Sequence, residues 1–119
     1  MSNKRISDRN RQAILDFVDE CRANNLSFAR RVKYLYTLPI LAERLGKDFD
    51  SATAEDIKKL VGQINDDKAY ADWSKNDFRV ALKRFYRWLR KFPPGQSPPE
   101  TAWIRVRSAK KKILRGASK

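Results

Sequence analysis

Residues 73–92 read W-S-K-N-D-F-R-V-A-L-K-R-F-Y-R-W-L-R-K-F, and this stretch predicts an amphipathic helix. At helical spacing its apolar side chains form one stripe, made of Phe78, Ala81, Leu82, Phe85, Leu89 and Phe92. A basic and polar row lies on the opposite side, made of Asn76, Arg79, Lys83, Arg87 and Arg90. The stretch holds seven Lys or Arg against one Asp. We therefore expect a helix that packs on a core through its aromatic stripe and turns a phosphate-binding row outward.

Two earlier stretches predict helices with capped starts. The first begins at Ser7 or Asp8 and runs to about Ala23, with an apolar stripe at Ile14, Phe17, Val18 and Cys21. The third begins at Thr53, which is followed by acidic residues that favour a helix N-terminus. Its stripe is Ile57, Leu60, Val61 and Ile64, and it ends around Asn65.

The second and fourth predicted helices are longer. The second opens with Ser27 and ends before Gly46, and apolar residues cover so much of its circumference that we expect it at the centre. Pro39 lies inside it and lacks an N–H, so a kink or break is expected. The fourth is capped by Ser74 and stops at the prolines 93–94. Because no segment alternates with a period of two, the sequence predicts an all-α bundle of four to five helices.

The net charge of +13 and the pI near 10.2 favour a polyanionic partner, which can be DNA, RNA or an anionic membrane surface. The excess of positive charge is concentrated in residues 27–46, 73–92 and 93–119, whereas residues 47–72 are net acidic. The chain has no apolar run long enough to span a bilayer and no secretory signal, so we expect a cytoplasmic protein with no membrane partner. The single cysteine excludes an internal disulfide.

The composition changes at the end of the fourth predicted helix. Residues 1–92 are expected to form the helical domain, and residues 93–119 a Pro-rich linker followed by a basic tail. After the linker, apolar residues are mixed with basic ones. This part is therefore either a short helix docked on the bundle or a basic arm that binds DNA through Lys110, Lys111 and Lys112. The sequence leaves both alternatives open.

Residues 26–89 resemble the N-terminal core-binding domain, or SAM-like domain, of tyrosine recombinases of the phage-integrase family, particularly archaeal ones. The resemblance lies in N-L-S-F-A-R-R-V-K-Y-L, L-A-E-R-L-G-K-D-F-D, S-A-T-A-E-D-I-K-K-L-V and W-S-K-N-D-F-R-V-A-L-K-R-F-Y-R-W-L, in this order. It implies a helical module that covers one side of duplex DNA while a separate catalytic domain covers the other. It also implies DNA contacts from the second helix at Arg30, Arg31, Lys33 and Thr37, and from the fourth at Lys75, Asn76, Arg79, Lys83 and Arg87. From the charge pattern we add Arg90 to this set.

We expect this chain to bind DNA without catalysing a reaction. It has no histidine and no segment that resembles the recombinase catalytic motifs, and it shows no phosphate loop, metal-ligand set or catalytic triad. No cofactor is therefore expected. The expected partners are double-stranded DNA, the catalytic domain of the same protein if the chain is a fragment, and other recombinase subunits on DNA. Two alternatives stay open, namely a free-standing nucleic-acid-binding protein of the same fold and a basic bundle that binds an acidic protein.

Overall fold

A computed structural model describes residues 6–93 and 95–106 and shows a helical bundle with no strand in these ranges. Its elements are α1 (Asp8–Ala23), α2 (Phe28–Leu45), a 3₁₀ turn (Phe49–Ser51), α3 (Ala54–Asp66), α4 (Asp72–Leu89) and α5 (Pro99–Ala102). The predicted all-α bundle of four to five helices is confirmed. The predicted DNA contacts at Lys110, Lys111 and Lys112 lie outside the described residues.

Three of the predicted helix starts are confirmed because each cap is a local hydrogen bond. The hydroxyls of Ser7 and Ser27 accept the N–H three residues on, at 3.1 Å and 3.3 Å. Thr53 and Asp56 form a capping box, in which the Thr53 hydroxyl accepts the Asp56 N–H at 3.2 Å and the Asp56 carboxylate accepts the Thr53 N–H at 2.9 Å.

The start of α4 differs from the prediction. The helix begins at Asp72 with Ala71 at the N-cap, so the predicted cap, Ser74, lies within the first turn. The Ala71 carbonyl accepts the Lys75 N–H at 3.0 Å. Just before the helix, the ring of Tyr70 packs edge-on against Phe78, with centroids 4.9 Å apart. The start of α4 has no side-chain cap, and this ring contact lies beside it.

Pro39 does not break α2, which runs as one helix from Phe28 to Leu45. The predicted break is therefore wrong. Proline removes only one backbone donor, and the residues around it are held by burial, since Leu38 is 0% and Leu41 1% exposed. Burial of these side chains offsets the missing hydrogen bond.

Two helices end with a non-glycine residue in the left-handed conformation. Asn25 follows α1 with φ of 70°, and Lys91 follows α4 with φ of 60°. In both cases the next residue donates its N–H back into the last turn, from Leu26 to the Cys21 carbonyl and from Phe92 to the Arg87 carbonyl, each at 2.9 Å. This is the Schellman arrangement, which normally has glycine at the left-handed position.

An aromatic core joins the helices to the segment after α2. Phe85 is fully buried against Phe49 and Phe17, with ring centroids 4.6 Å and 5.4 Å away. Asn10 is buried and bonds the same segment, because its Nδ2 donates to the Lys47 carbonyl at 3.0 Å and its Oδ1 accepts the Phe49 N–H at 2.8 Å. The α2–α3 connection is therefore held by ring packing on Phe85 of α4 and by hydrogen bonds from Asn10 of α1.

Residues 98–104 pack on the bundle instead of extending away from it. Pro98, Thr101 and Ile104 are buried, and α5 lies against α3 and α4. Pro99 is the first residue of α5, a position that needs no N–H donor. The short helix α5 begins within the Pro-rich stretch, and most of the segment for which the two alternatives were open lies outside the described residues. Pro98 is extended as expected, whereas Pro99 and Glu100 are helical, so the expectation of an extended stretch is wrong for those two residues.

No helix in the described ranges is long and apolar enough to cross a membrane.

Candidate nucleic-acid interface

An open cleft of about 640 Å³ lies between α2 and α4. Five cationic side chains line it, Arg30 and Lys33 from α2 and Lys83, Arg84 and Arg87 from α4. Asp77 is the one carboxylate among the described lining residues. Residues 95–97 and Val106 also line the cleft. We call this surface the basic cleft.

Helical spacing places these five cations together. On α2, Arg30 and Lys33 are three residues apart and so lie on one face, beside the buried Tyr34. On α4, Phe85 and Tyr86 point into the core. The cations at positions 83, 84 and 87 flank this buried pair. Since α2 and α4 pack against each other, the two faces meet along one seam.

The basic cleft is electrostatically unbalanced. Lys33 forms an ion pair with Asp77, with Nζ 3.4 Å from Oδ2. Arg30 and Arg87 form no ion pair with any other residue in the described ranges. Arg84 faces the Tyr34 hydroxyl; burial raises the pKa of Tyr34, and Arg84 opposes that rise. At pH 7 a neutral phenol therefore stands beside this guanidinium, and it cannot balance the positive charge.

Several basic side chains elsewhere on the bundle have carboxylate partners. The pairs are Arg9–Asp50 at 2.7 Å, Arg44–Asp67 at 2.6 Å, Lys47–Asp56 at 3.0 Å and Arg90–Glu100 at 2.9 Å. The pKa of Asp67 is lowered, first by the Ala69 backbone N–H and then by Arg44. The pKa of Asp56 is lowered, first by the Thr53 backbone N–H and then by Lys47. The basic cleft differs from these pairs because five cations share one carboxylate there.

The outer row predicted on α4 divides into two groups. Lys83 and Arg87 reach the basic cleft. Arg79 instead donates from Nε to the Arg105 carbonyl at 3.1 Å and from Nη1 to Asn65 Oδ1 at 2.6 Å. Lys83 also bonds the returning chain, because its Nζ donates to the Ile104 carbonyl at 3.0 Å. Arg79 and Lys83 therefore hydrogen-bond the backbone of residues 104 and 105 and hold this segment against α4.

Lys75 and Arg90 are also engaged within the bundle. Lys75 Nζ donates to the Asn65 carbonyl at 2.8 Å. Arg90 pairs with Glu100, donates to the Asp50 carbonyl at 3.2 Å and lies over the Tyr86 ring, with Cζ 5.7 Å from the centroid. Three contacts of one guanidinium hold α5 and the 3₁₀ turn against α4. The predicted DNA contact at Arg90 does not fit this arrangement.

Two further predicted DNA contacts conflict with burial. Thr37 and Asn76 are each 3% exposed, although Asn76 borders the basic cleft. The Thr37 hydroxyl donates to the Lys33 carbonyl at 3.0 Å, a bond within its own helix. Side chains with so little exposed surface cannot reach a phosphate or a base edge as they are placed. The predicted DNA contacts at Thr37 and Asn76 therefore do not fit their burial in the bundle.

Arg31 lies at the start of α2, outside the basic cleft. Its Nε donates to the Leu26 carbonyl at 3.2 Å, and its guanidinium carbon lies 5.6 Å from the Phe28 ring centroid. Arg84 was missing from the predicted set, because on a helical wheel it lies between the apolar stripe and the basic row. Its role depends on α2 packing beside it, and a single-helix projection does not contain that information.

Comparison of the chain with protein-family models, curated proteins and solved structures finds no significant match. Within the described ranges no three His, Cys, Asp or Glu side chains lie close enough together to hold a metal ion.

Proposed function

We propose that the chain is a duplex-DNA-binding module that holds the DNA backbone in the basic cleft. We further propose that it serves as the core-binding domain of a tyrosine recombinase of the phage-integrase family, whose strand-cleaving chemistry belongs to a catalytic domain. The particular family rests on the sequence resemblance of residues 26–89. The kind of ligand rests on the geometry of α2 and α4.

The observation that carries the proposal is the charge imbalance of the basic cleft. Five cations share one carboxylate there, and Arg30, Arg84 and Arg87 form no ion pair within the described ranges. Bringing like charges together costs stability unless a ligand neutralises them. A row of phosphates is such a ligand, because guanidinium groups bind phosphate oxygens in a bidentate manner.

The contacts divide into two roles. Arg30, Arg84 and Arg87 are exposed or partly exposed and form no ion pair within the described ranges, so they are the principal phosphate ligands. Lys33 contributes less, because Asp77 already neutralises part of its charge. Contacts to phosphates position the duplex without reading its sequence. We therefore expect this cleft alone to bind duplexes of different sequence with similar affinity.

The salt dependence can be worked out from these residues. Five cations less one carboxylate neutralise about four phosphates, so the logarithm of the affinity should fall against the logarithm of salt with a slope of about 3.6. Affinity should then fall about 150-fold between roughly 50 and 200 mM salt. Fluorescence anisotropy with a labelled 20-base-pair duplex measures this slope directly.

A charge-matched pair of variants tests the location. Arg87→Ala removes a cation from the basic cleft, and Lys58→Ala removes one from the exposed surface of α3, outside the cleft. Arg87→Ala should lower the slope by about 0.9, the value for one phosphate contact, and Lys58→Ala should leave it unchanged. Equal losses in the two variants would show that only the net charge matters.

A heparin fragment of similar charge separates the alternative functions. Duplex DNA should bind more tightly than heparin if α2 and α4 fit the shape of the duplex. Equal affinity for both would favour the basic bundle that binds an acidic protein. Equal affinity for duplex DNA and single-stranded RNA would favour the free-standing nucleic-acid-binding protein. No binding of DNA at low salt would contradict the proposal outright.

A further inference from the structure

A second cavity, of about 270 Å³, opens beside the basic cleft between α1, α2 and α4. Aromatic rings form its walls, from Phe17, Tyr34, Trp88 and Phe92. Glu20 and Cys21 of α1 also line it, together with Asn24, which follows the helix. We call this cavity the aromatic pocket. None of the functions considered so far uses it.

The aromatic pocket adjoins the basic cleft. Tyr34, Arg84 and Arg87 line both cavities. One ligand can therefore place an anionic group on the two guanidinium groups and an attached ring in the pocket. The two cavities need not be filled by separate molecules.

The pocket has the size and walls that suit a single flat ring system. Its volume is below the 300–1,000 Å³ typical of pockets for drug-sized ligands. Trp88 is only partly buried, and its ring packs against Phe17 and Phe85 with centroids 5.5 Å and 5.7 Å away. Supported rings of this kind are good stacking surfaces for nucleobases.

Polar groups at the end of α1 complete the lining. Asn24 Nδ2 donates to the Glu20 carboxylate at 3.1 Å, and both side chains are exposed. The carboxylate can accept a hydrogen bond from an exocyclic amino group, and the Asn24 amide oxygen is a second acceptor. Burial raises the pKa of the Cys21 thiol, so that part of the wall is neutral.

We propose that the aromatic pocket receives one unpaired nucleobase of a DNA duplex bound in the basic cleft, with the adjoining phosphate on Arg84 and Arg87. This inference rests on the proposed DNA-binding function and extends it from fully paired DNA to DNA with an extrahelical or overhanging nucleotide. The shared guanidinium groups join the two parts of the site.

The test compares a fully paired 20-base-pair duplex with the same duplex carrying one unpaired 2-aminopurine nucleotide. Stacking in the pocket should make the second DNA bind about 5- to 150-fold more tightly and should quench the fluorescence of its 2-aminopurine. Trp88→Leu and Phe92→Ala should each abolish this preference while the affinity for fully paired DNA stays unchanged. Phe92 lies beyond the end of α4, so its removal tests the pocket even if Trp88→Leu does not fold.

Arg30→Ala serves as the control, because Arg30 lines the basic cleft but not the aromatic pocket. It should weaken both DNAs by the same factor. If wild type binds both DNAs equally, the inference about the pocket is wrong and the proposed function stands. If the preference persists in folded Trp88→Leu and Phe92→Ala proteins, the unpaired base binds elsewhere and the inference is again wrong. If neither DNA binds, the inference and the proposed function both fail.

Discussion

Replacing Asp77 by asparagine should strengthen DNA binding. Asp77 is the one carboxylate among the described residues of the basic cleft, and its Oδ2 lies 3.4 Å from Lys33 Nζ. Asparagine keeps the shape but releases Lys33 to neutralise a further phosphate. The salt slope should therefore steepen by about 0.9, which corresponds to a gain in affinity of about 8-fold near 100 mM salt and about 15-fold near 50 mM.

The fold should tolerate Asp77→Asn. The Lys33 side chain is 51% exposed and Asp77 is 24% exposed, so solvent screens this pair. Loss of such a pair changes the free energy of unfolding by less than about 1 kcal/mol. A urea titration of the variant would check this and would exclude unfolding as a cause of altered binding.

The assay is fluorescence anisotropy of a labelled duplex at several salt concentrations, with Asp19→Asn as the control. Asp19 is an exposed residue of α1 that does not line the cleft, and its replacement makes the same change in net charge. Asp19→Asn should leave the slope unchanged, because a distant surface charge is screened within a Debye length of about 10 Å. Equal gains in the two variants, or an unchanged slope in Asp77→Asn, would refute the assignment of the cleft.

Three further predictions concern the bundle itself. Tyr86→Phe should cost about 1–3 kcal/mol in urea unfolding, because the buried Tyr86 hydroxyl donates to the Phe49 carbonyl at 2.6 Å. Burial raises the pKa of Tyr86 above its usual value near 10. The Tyr86 hydroxyl therefore stabilises the fold fully below about pH 10, and this stabilisation is lost at higher pH as the unfolded chain ionises. In unfolding curves measured against pH, wild type should lose stability above about pH 10 more steeply than Tyr86→Phe. Lys91→Gly should stabilise the protein by roughly 1 kcal/mol and raise its melting temperature by several degrees, because φ at this position is 60°. Arg90→Ala should lower the free energy of unfolding by about 2 kcal/mol, because the Arg90–Glu100 ion pair is lost. It should leave the slope of DNA affinity against salt unchanged, and a lowered slope would show that Arg90 contacts DNA.

The described helices could be predicted from sequence to the extent that their signals are local. The caps at Ser7, Ser27 and Thr53 are bonds that span three residues, so the chain determines them wherever the helix lies in the fold. The apolar stripe of α4 likewise appears in the core as its spacing predicts. The start of α4 was not predicted, because its N-cap, Ala71, has no side chain that can cap a helix and so gives no local signal.

The roles of the individual basic residues depend on tertiary structure. Arg87 and Arg90 are three residues apart on one helix and share a side of its wheel. Arg87 lines the basic cleft, whereas Arg90 bonds Glu100 and the Asp50 carbonyl. Their hydrogen-bonding partners could not be read from the helix, since those of Arg90 lie 10 and 40 residues away along the chain.

By itself the sequence determined that the described chain is helical, where most of its helices begin, and that α2 and α4 carry the excess of positive charge. Only the packing of the helices decided which cations meet in one cleft and which bond the returning segment 98–106. The physical reason is the separation along the chain of the interacting groups. A helix is determined by hydrogen bonds and side-chain spacing within about four residues. An electrostatic site is instead set by the distances between charges on different helices.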